Sequence, residues 1–339
     1  MKQISKILIV GLGNIGKRHL RILRGIHPNA DIRVLLHQSD KSIPEHSNGY
    51  FKDLEESIAF NPQVAVIANP ATFHLNFAIA LAKSGCNLLI EKPISHNEKG
   101  IQELIHERDQ QGLVIQVGYN LRFNNALMYF RKQIHDGLIG NIYSVRCETG
   151  RYLPSWRPDT DYRKGVSANK ALGGGVLLEL SHEIDYLRWI FGEITSVSSK
   201  LKKHSELEID VEDSAYLTLD FKSYSKNDSP VASLLMDFIR HDPTRTCLVI
   251  GEKGTLRWNE ILSTVEHWKK DSNEWLELFR HQHYKDDTYL AEWNSFFEAV
   301  NEVKTPMITI EDGLSVMKVI EAVRTSNKTS GKKVNLNDI

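Results

Sequence analysis

The chain has 339 residues, with 42 basic and 43 acidic side chains and a formal net charge of −1. This length predicts two domains, and the balanced charge gives no indication of a nucleic acid or an anionic membrane as a partner. The three cysteines, Cys86, Cys147 and Cys247, are odd in number and widely spaced, so neither a disulfide framework nor a metal site is expected. Free thiols are typical of a cytoplasmic protein. No apolar run is as long as the roughly 18 residues that a transmembrane helix needs, so no transmembrane helix is predicted.

Short apolar runs alternate with helical patterns over the first part of the chain. Runs that are apolar throughout and lie between helices are typical of a parallel sheet covered on both faces. The pattern therefore predicts an α/β domain over residues 1–121, with the doubly wound parallel sheet of the Rossmann type. Strands are predicted at residues 7–10, 32–36, 64–68, 88–90 and 114–117, and helices at 15–25, 73–84 and 99–110.

After residue 121 several strands alternate apolar and polar side chains, as in residues 216–221. Period-two strands joined by turns are typical of an antiparallel sheet with one face on the core. Residues 122–339 are therefore predicted to form an α+β domain with a large, mostly antiparallel open sheet. Apolar residues on both alternations predict self-association through the second face, as a homodimer or homotetramer. Helices are predicted at 126–136, 172–191, 289–303 and 310–326, and the last two could pack back on the first domain.

The first predicted strand runs into Gly11, Gly13 and Gly16, which match the pattern G-x-G-x-x-G at the start of a predicted helix. Gly11 permits the tight turn, Gly13 lets the backbone approach a pyrophosphate, and Gly16 lets helix and strand pack closely. Asn14 and Ile15 begin the helix, whose N-terminal amides suit phosphate groups. The segment predicts binding of NAD or NADP. The alternative is a glycine turn that holds no cofactor.

The second predicted strand leads into His37, Gln38 and Ser39, where dinucleotide-binding domains usually carry an acidic residue that binds the adenosine ribose. Without a carboxylate there, a 2′-phosphate meets no like charge, and these side chains can donate hydrogen bonds to it. The sequence therefore favours NADP slightly over NAD. The alternative is that these residues are solvated and that NAD is held by other contacts.

Glu91 and Lys92 follow the predicted strand at residues 88–90. The carboxyl ends of strands in a doubly wound sheet open onto the ligand. An ammonium group at Lys92 can therefore stabilise negative charge that develops on a substrate oxygen, and Pro93 restricts the turn that carries it. The alternative is that Glu91 and Lys92 form an ordinary surface ion pair.

His182 follows a run of three glycines at residues 173–175 and is the natural proton carrier, because histidine titrates near neutral pH. On the predicted helix at 172–191, Glu179 lies three residues before it and Asp185 three residues after it. A carboxylate at either position could orient the imidazole and stabilise its charged form. The alternative is a structural histidine whose hydrogen bonds are satisfied.

The segment at residues 152–163 is loop-like and mixes aromatic side chains with arginines. Aromatic faces stack on sugar rings, and arginine binds carboxylate or phosphate groups through two hydrogen bonds. Trp156, Arg157 and Arg163 are therefore candidate substrate-binding residues. The alternative is that the segment is a structural or subunit-contact arm.

The glycine motif, residues 89–93 and residues 173–185 together make the chain resemble the glucose–fructose oxidoreductase/inositol dehydrogenase (Gfo/Idh/MocA) family over nearly its whole length. The resemblance implies NAD(P)-dependent hydride transfer at a hydroxyl-bearing carbon of a sugar, a sugar derivative or a polyol. It also implies a cis peptide bond before Pro93. Many members carry an aspartate four residues before the histidine, where this chain has Leu178. Glu179 could replace that aspartate.

Two further segments, residues 68–74 and residues 118–123, look like the family's nicotinamide-side loop and its domain-junction segment. By this resemblance they supply residues to the cofactor and substrate sites, together with the strand end before Pro93. The cofactor candidates are Asn69, Pro70, His74, Glu91, Lys92 and Asn120, and the substrate candidate is Arg122.

Three functions are compatible with these motifs. In the first, a dehydrogenase, His182 accepts the hydroxyl proton while Lys92 polarises the same oxygen and hydride passes to the nicotinamide. Similar segments occur in family branches of surface-polysaccharide and sialic-acid-like sugar metabolism. The second is a glycosidase that retains its nicotinamide through a transient oxidation. The third is a non-catalytic NAD(P)-binding sensor, since a fold alone does not establish a function. Lys92 and His182 favour the first over the third.

Overall fold

The computed structural model describes residues 4–36, 42–222, 230–282 and 284–338. The chain divides into two compact units. The first comprises Met1–Tyr119 and Tyr289–Met317, and the second Asn120–Thr288 and Lys318–Ile339. The chain therefore passes between the units three times.

A parallel sheet covered by helices forms the first unit. Its elements up to residue 119 are β1 (Lys6–Val10), α1 (Asn14–Ile26), β2 (Asp31–Leu35), β3 (Gly49–Phe51), α2 (Leu54–Ala59), β4 (Val64–Ile67), α3 (His74–Lys83), β5 (Asn87–Glu91), α4 (Ile101–Gln111) and β6 (Ile115–Gly118). All six strands are parallel, in the order β3-β2-β1-β4-β5-β6. The strand order reverses direction at β1, as in a doubly wound sheet, so the predicted Rossmann-type fold is confirmed. The short edge strand β3 has no counterpart among the predicted strands.

A nine-stranded sheet forms the second unit. Its strands are β7 (Ile142–Gly150), β8 (Ile194–Lys202), β9 (Ser214–Phe221), β10 (Val231–Asp237), β11 (Thr244–Gly251), β12 (Gly254–Asn259), β13 (Thr264–Lys269), β14 (Leu276–Arg280) and β15 (Val334–Asn335). The unit also contains the helices α5 (Asn125–His135), α6 (Val176–Glu179) and α7 (His182–Phe191). The strand order is β14-β13-β12-β11-β7-β10-β9-β8-β15. Among the described strands of this sheet only β7 and β10 pair in parallel, so the predicted, mostly antiparallel sheet is confirmed.

Two long helices follow: α8 (Asp287–Glu302) and α9 (Ile310–Lys328). Helix α8 brings Trp293, Phe296 and Phe297 into the hydrophobic core of the first unit, where they join residues of β1, β4 and α1. Trp293 stacks on Phe297 with ring centroids 5.3 Å apart and meets Phe296 edge-on at 5.4 Å. A segment from the last sixth of the chain thus completes the core of the parallel-sheet unit. Within the described ranges no helix is long and apolar enough to cross a membrane.

One face of the nine-stranded sheet carries exposed apolar side chains. Along β9, Leu217 and Leu219 are buried, whereas Tyr216, which directly precedes Leu217, is 43% exposed. Leu235 on β10 lies directly opposite Tyr216 and is 42% exposed. Side chains on successive strand residues point to opposite faces, so Tyr216 and Leu235 share the face that the buried leucines do not occupy.

Glu292 lies on α8 within the first unit and is fully buried. Among the described residues neither oxygen of its carboxyl group has a hydrogen-bond partner. Burial, and then the nearby charge of Glu91, raise the pKa of Glu292 well above its ordinary value of 4.5. The folded protein therefore holds Glu292 in its neutral form at a pH at which the unfolded chain has already released that proton.

This raised pKa predicts a dependence of stability on pH. Because the folded form retains a proton that the unfolded form loses, stability falls as the pH rises above about 4.5, by at most about 1.4 kcal/mol per pH unit. Glutamine has the shape of the neutral acid and does not titrate. We therefore expect Glu292→Gln to raise the midpoint of thermal unfolding over wild type, and to raise it more at pH 8 than at pH 5.

The control is Glu298→Gln, which changes an exposed carboxylate on the same helix. The midpoint of thermal unfolding of this variant should not exceed that of wild type by an amount that grows with pH. Calorimetric scans of the three proteins across this pH range measure the effect, and equal pH dependence of wild type and Glu292→Gln would contradict a neutral Glu292.

Candidate functional site

The glycine turn after β1 leaves no space for side chains at two of its three glycines. A Cβ atom at Gly16 would lie 2.1 Å from the backbone oxygen of Gly11, and a Cβ at Gly11 would lie 2.8 Å from Cα of Asn69. Gly11 also has φ of 90°, a left-handed conformation that favours glycine. These contacts fix the start of α1 against the ends of β1 and β4.

Gly13 differs from both, because the space around its Cβ position is open to at least 4 Å within the described residues. It precedes Asn14 and Ile15, the first two residues of α1. Helix α1 has no side-chain cap and no acidic residue in its first turn. Its N-terminal amides and the positive end of its dipole therefore suit an anion. The open space at Gly13 fits a dinucleotide pyrophosphate.

His74 connects the loops that follow β4 and β5. Its Nε2 lies 2.7 Å from the backbone oxygen of Asn69, and its Nδ1 lies 3.0 Å from that of Pro93. Burial lowers the pKa of His74, although both carbonyl groups and Glu91 oppose this effect. A neutral ring donates to one of the two carbonyl oxygens. The Asn69 side-chain oxygen is buried and has no partner among the described residues, as expected beside a bound polar ligand. Pro70 lies in the same loop.

Glu91 ends β5, and Lys92 follows it with a cis peptide bond to Pro93, which confirms the cis bond implied by the resemblance. Glu91 is only 7% exposed, and its Oε1 lies 2.8 Å from Nε2 of His19. Lys92 is partly exposed. Since β1, β4 and β5 are parallel neighbours, Gly11, Asn69 and Lys92 all lie at the carboxyl edge of the sheet.

The chain is not one continuous helix across residues 172–191, so that prediction is wrong. Gly173 and Gly175 adopt φ angles of 83° and 104°, and α6 begins only after them. Helix α6 then ends at Glu179, and α7 begins at His182. The intervening Leu180 leaves helical geometry, with φ of −99° and ψ of 24°. Glu179 and His182 therefore do not share one helical repeat, and an orienting role for Glu179 stays a prediction.

Two predicted site residues, Arg122 and Asp185, form an ion pair with each other. Arg122 donates to both carboxylate oxygens of Asp185, at 2.9 Å from Nε and 2.6 Å from Nη2. Both side chains are almost fully buried. A buried, bidentate pair of this kind holds α7 to the short 3₁₀ helix Asn120–Phe123. Asn120 in that helix donates to the hydroxyl of Thr288 at 2.9 Å.

In the loop after β7, the predicted substrate residues have different surroundings. The Trp156 indole donates to the backbone oxygen of Arg151 at 3.0 Å, and its ring meets Phe238 edge-on at 5.2 Å. Arg163 pairs with Asp161 at 2.7 Å and also with Glu208 at 3.1 Å. Arg157 is exposed. The structure thus shows protein partners for Trp156 and Arg163.

Three of the candidate cofactor residues, His37, Gln38 and Ser39, lie outside the described residues. In contrast, the structure adds Glu212, which belongs to none of the sequence motifs. Its Oε1 accepts from the backbone N–H of Leu177 at 3.1 Å and lies 2.5 Å from the position of a Cβ at Gly175. Burial raises the pKa of Glu212. This carboxylate therefore lies against the glycine run before α6.

Two family models match the chain in sequence. Residues 5–119 match the NAD-binding Rossmann fold of the oxidoreductase family, and residues 131–336 match its C-terminal alpha/beta domain. The chain belongs to the Gfo/Idh/MocA oxidoreductase family. The resemblance stated from the motifs is thereby confirmed, and the chain is an oxidoreductase of a family whose first domain binds a nicotinamide dinucleotide.

Relatives within the Gfo/Idh/MocA family span nearly the same length. The chain is 25% identical to myo-inositol 2-dehydrogenase of Thermotoga maritima, over 95% of this chain and 96% of that protein. It is 23% identical to the scyllo-inositol 2-dehydrogenase (NADP(+)) IolW of Bacillus subtilis, over 80% and 79%. A solved structure of levoglucosan dehydrogenase in complex with NADH has the same fold, with a TM-score of 0.84 and 20% identity over 98% of this chain and 99% of that chain.

The open space at Gly13 predicts a variant that folds but binds the cofactor poorly. The Cβ of Gly13→Val has no atom of the described protein within 4 Å apart from its chain neighbours, but the side chain fills the space where a pyrophosphate would approach the backbone. We expect the dissociation constant for NAD or NADP, measured by titration calorimetry, to rise by about tenfold or more.

Gly25→Val is the control, because Gly25 lies in the same helix and its Cβ position is also open. It should leave the dissociation constant unchanged. Circular dichroism checks that both variants fold. A folded Gly13→Val protein with wild-type affinity would exclude a pyrophosphate at this turn.

Proposed function

We propose that the chain transfers a hydride between a nicotinamide and a hydroxyl-bearing carbon of a sugar, a sugar derivative or a polyol. The observation that carries the proposal is the arrangement at the carboxyl edge of β1, β4 and β5. The open phosphate cradle at Gly13 follows β1, and Lys92 follows β5 two strands away, at a spacing of about 10 Å. A dinucleotide that lies across this edge can extend from the cradle toward a cation suited to a reacting oxygen.

When bound, the nicotinamide supplies the acceptor or the donor of the hydride. In the direction of oxidation, the Lys92 ammonium donates a hydrogen bond to the substrate hydroxyl oxygen and stabilises the negative charge that develops on it. His182 accepts the proton of that hydroxyl group. In the direction of reduction the same residues act in reverse, and His182 returns the proton to the carbonyl oxygen.

For the substrate, we propose a neutral or acidic sugar or polyol. The proposal is supported by the name of the inositol dehydrogenase relative and by the loop after β7, where Arg157 is exposed. Arg157 would bind a carboxylate or phosphate group through two hydrogen bonds. For the cofactor, we propose NADP at least as readily as NAD, because no carboxylate is present at His37, Gln38 and Ser39.

The mechanism predicts that two residues matter for turnover more than for cofactor binding. With a panel of sugars and polyols, cofactor reduction at 340 nm measures turnover. Lys92→Ala should lower kcat by about a hundredfold or more, and His182→Ala by roughly 10²–10⁴-fold. His182→Ala should also remove the ionisation of the proton acceptor from the pH–rate profile. The dissociation constant for the cofactor should change by less than about threefold in both.

Lys99→Ala and His106→Ala are matched controls, since both side chains are exposed on the first unit. Both should keep the wild-type rate. A His182→Ala protein with the wild-type rate and pH profile would contradict the proton path. Substrate hydrolysis without net cofactor reduction would indicate a nicotinamide-retaining glycosidase, and cofactor binding without any reaction would indicate a sensor.

We also propose that the exposed face of the nine-stranded sheet binds a second copy of the chain. Tyr216 and Leu235 are direct neighbours on that face, and paired apolar side chains of this size are typical of an interface. Light scattering should show a dimer or tetramer for wild type and a smaller species for Leu235→Glu. Met307→Glu, at an equally exposed site in the first unit, should leave the mass unchanged. A monomeric wild type at micromolar concentration would exclude the interface.

A further inference from the structure

A histidine on α1 lies directly behind the strand end that carries Lys92. His19 is fully buried, and its ring meets Tyr289 and Trp293 edge-on, at centroid distances of 5.7 and 5.6 Å. Its Nδ1 lies 2.9 Å from the indole nitrogen of Trp293, and its Nε2 lies 2.8 Å from Oε1 of Glu91. Both ring nitrogens are therefore used inside the protein.

The indole group determines which nitrogen of His19 carries the proton. A tryptophan N–H can only donate, so Nδ1 of His19 must accept. The neutral imidazole then has its proton on Nε2, which donates to the carboxylate of Glu91. A ring protonated on both nitrogens would set one N–H against the N–H of Trp293. The direction of every hydrogen bond in the series Trp293, His19, Glu91 is therefore fixed.

The carboxylate of Glu91 is also held on its other side. Its Oε2 lies 3.2 Å from the backbone nitrogen of Lys92 and accepts that N–H. The side chain packs against β6, where a Cβ at Gly118 would lie 3.4 Å from the same oxygen. Glu91 thus connects His19 to the backbone of Lys92.

We propose that His19 is a positioning residue for Lys92, which it holds through Glu91. The proposal rests on the proposed function, since it takes Lys92 as the group that polarises the substrate oxygen. It assigns Glu91 to the support of Lys92 rather than to contact with the cofactor. A donor at position 19 holds the Glu91 carboxylate, the carboxylate holds the Lys92 amide, and the ammonium group extends from a fixed backbone. A displacement of about 1 Å at a reacting group can lower a rate a hundredfold.

The test compares two side chains of nearly equal length at position 19. The amide of His19→Gln can donate to Glu91, whereas the thioether of His19→Met cannot. We expect His19→Met to lower kcat by about tenfold or more. The KM for the sugar and the dissociation constant for the cofactor should stay within about threefold of wild type. His19→Gln should recover most of the lost rate, which a role in packing alone would not explain.

A second measurement does not depend on turnover. Hydrogen exchange of the Lys92 amide, followed by mass spectrometry in a peptide covering residues 88–94, should be faster in His19→Met than in wild type and His19→Gln. If wild type reduces no cofactor with any sugar, the proposed function fails, and the exchange rates still decide whether His19 holds Lys92.

Equal kcat and equal exchange in His19→Met and wild type would overturn the proposal. Equal impairment of His19→Met and His19→Gln would overturn it as well, because the donor would then be irrelevant. If His19→Met does not fold, Trp293→Phe replaces it. This variant keeps a smaller aromatic ring at the position and removes the N–H that fixes the tautomer of His19. It should lower kcat and speed exchange of the Lys92 amide, and unchanged values of both would overturn the proposal.

Discussion

Close backbone contact between two glycines is the constraint on which the parallel-sheet unit depends. A side chain at Gly16 would overlap the backbone oxygen of Gly11, and one at Gly11 would overlap Asn69. Helix α1 can therefore start only against the ends of β1 and β4, with its amides at the carboxyl edge of the sheet. The same edge carries Lys92 after β5. The positive end of α1 thus lies at this edge because two backbone segments approach closely. Lys92 lies at the same edge because β5 runs parallel to β4 and β1.

Behind this edge the unit is held by polar as well as apolar contacts. Apolar packing is tolerant of small shifts, whereas a buried donor or acceptor that loses its partner costs about 1–3 kcal/mol. The hydrogen bonds of His19 to Trp293 and Glu91 therefore favour one arrangement of α1, β5 and α8 over others of similar compactness. In the second unit the buried pair of Arg122 and Asp185 has the same effect on α7.

Periodic patterns predicted both sheets, because burial on one or two faces affects residues that are neighbours in sequence. Short motifs predicted the family. The contacts around the site could not be predicted in this way. Trp293 and His19 are separated by 274 residues, and Arg122 and Asp185 by 63. A pattern of neighbouring residues in the sequence cannot predict a contact between residues so far apart. The helix predicted across 172–191 fails for a local reason, since left-handed glycines and a turn interrupt a stretch whose side chains otherwise suit a helix.

The path of the chain has a consequence for its synthesis. The core of the first unit contains Trp293, Phe296 and Phe297, which leave the ribosome only after the whole of the nine-stranded sheet up to β14 has been made. Domains generally fold as units, and at the N-terminus first. Here the core of the N-terminal unit stays incomplete, and part of its apolar surface stays exposed, until residues near 300 emerge. Nascent chains that are arrested before this point should therefore bind chaperones and aggregate more than longer chains do.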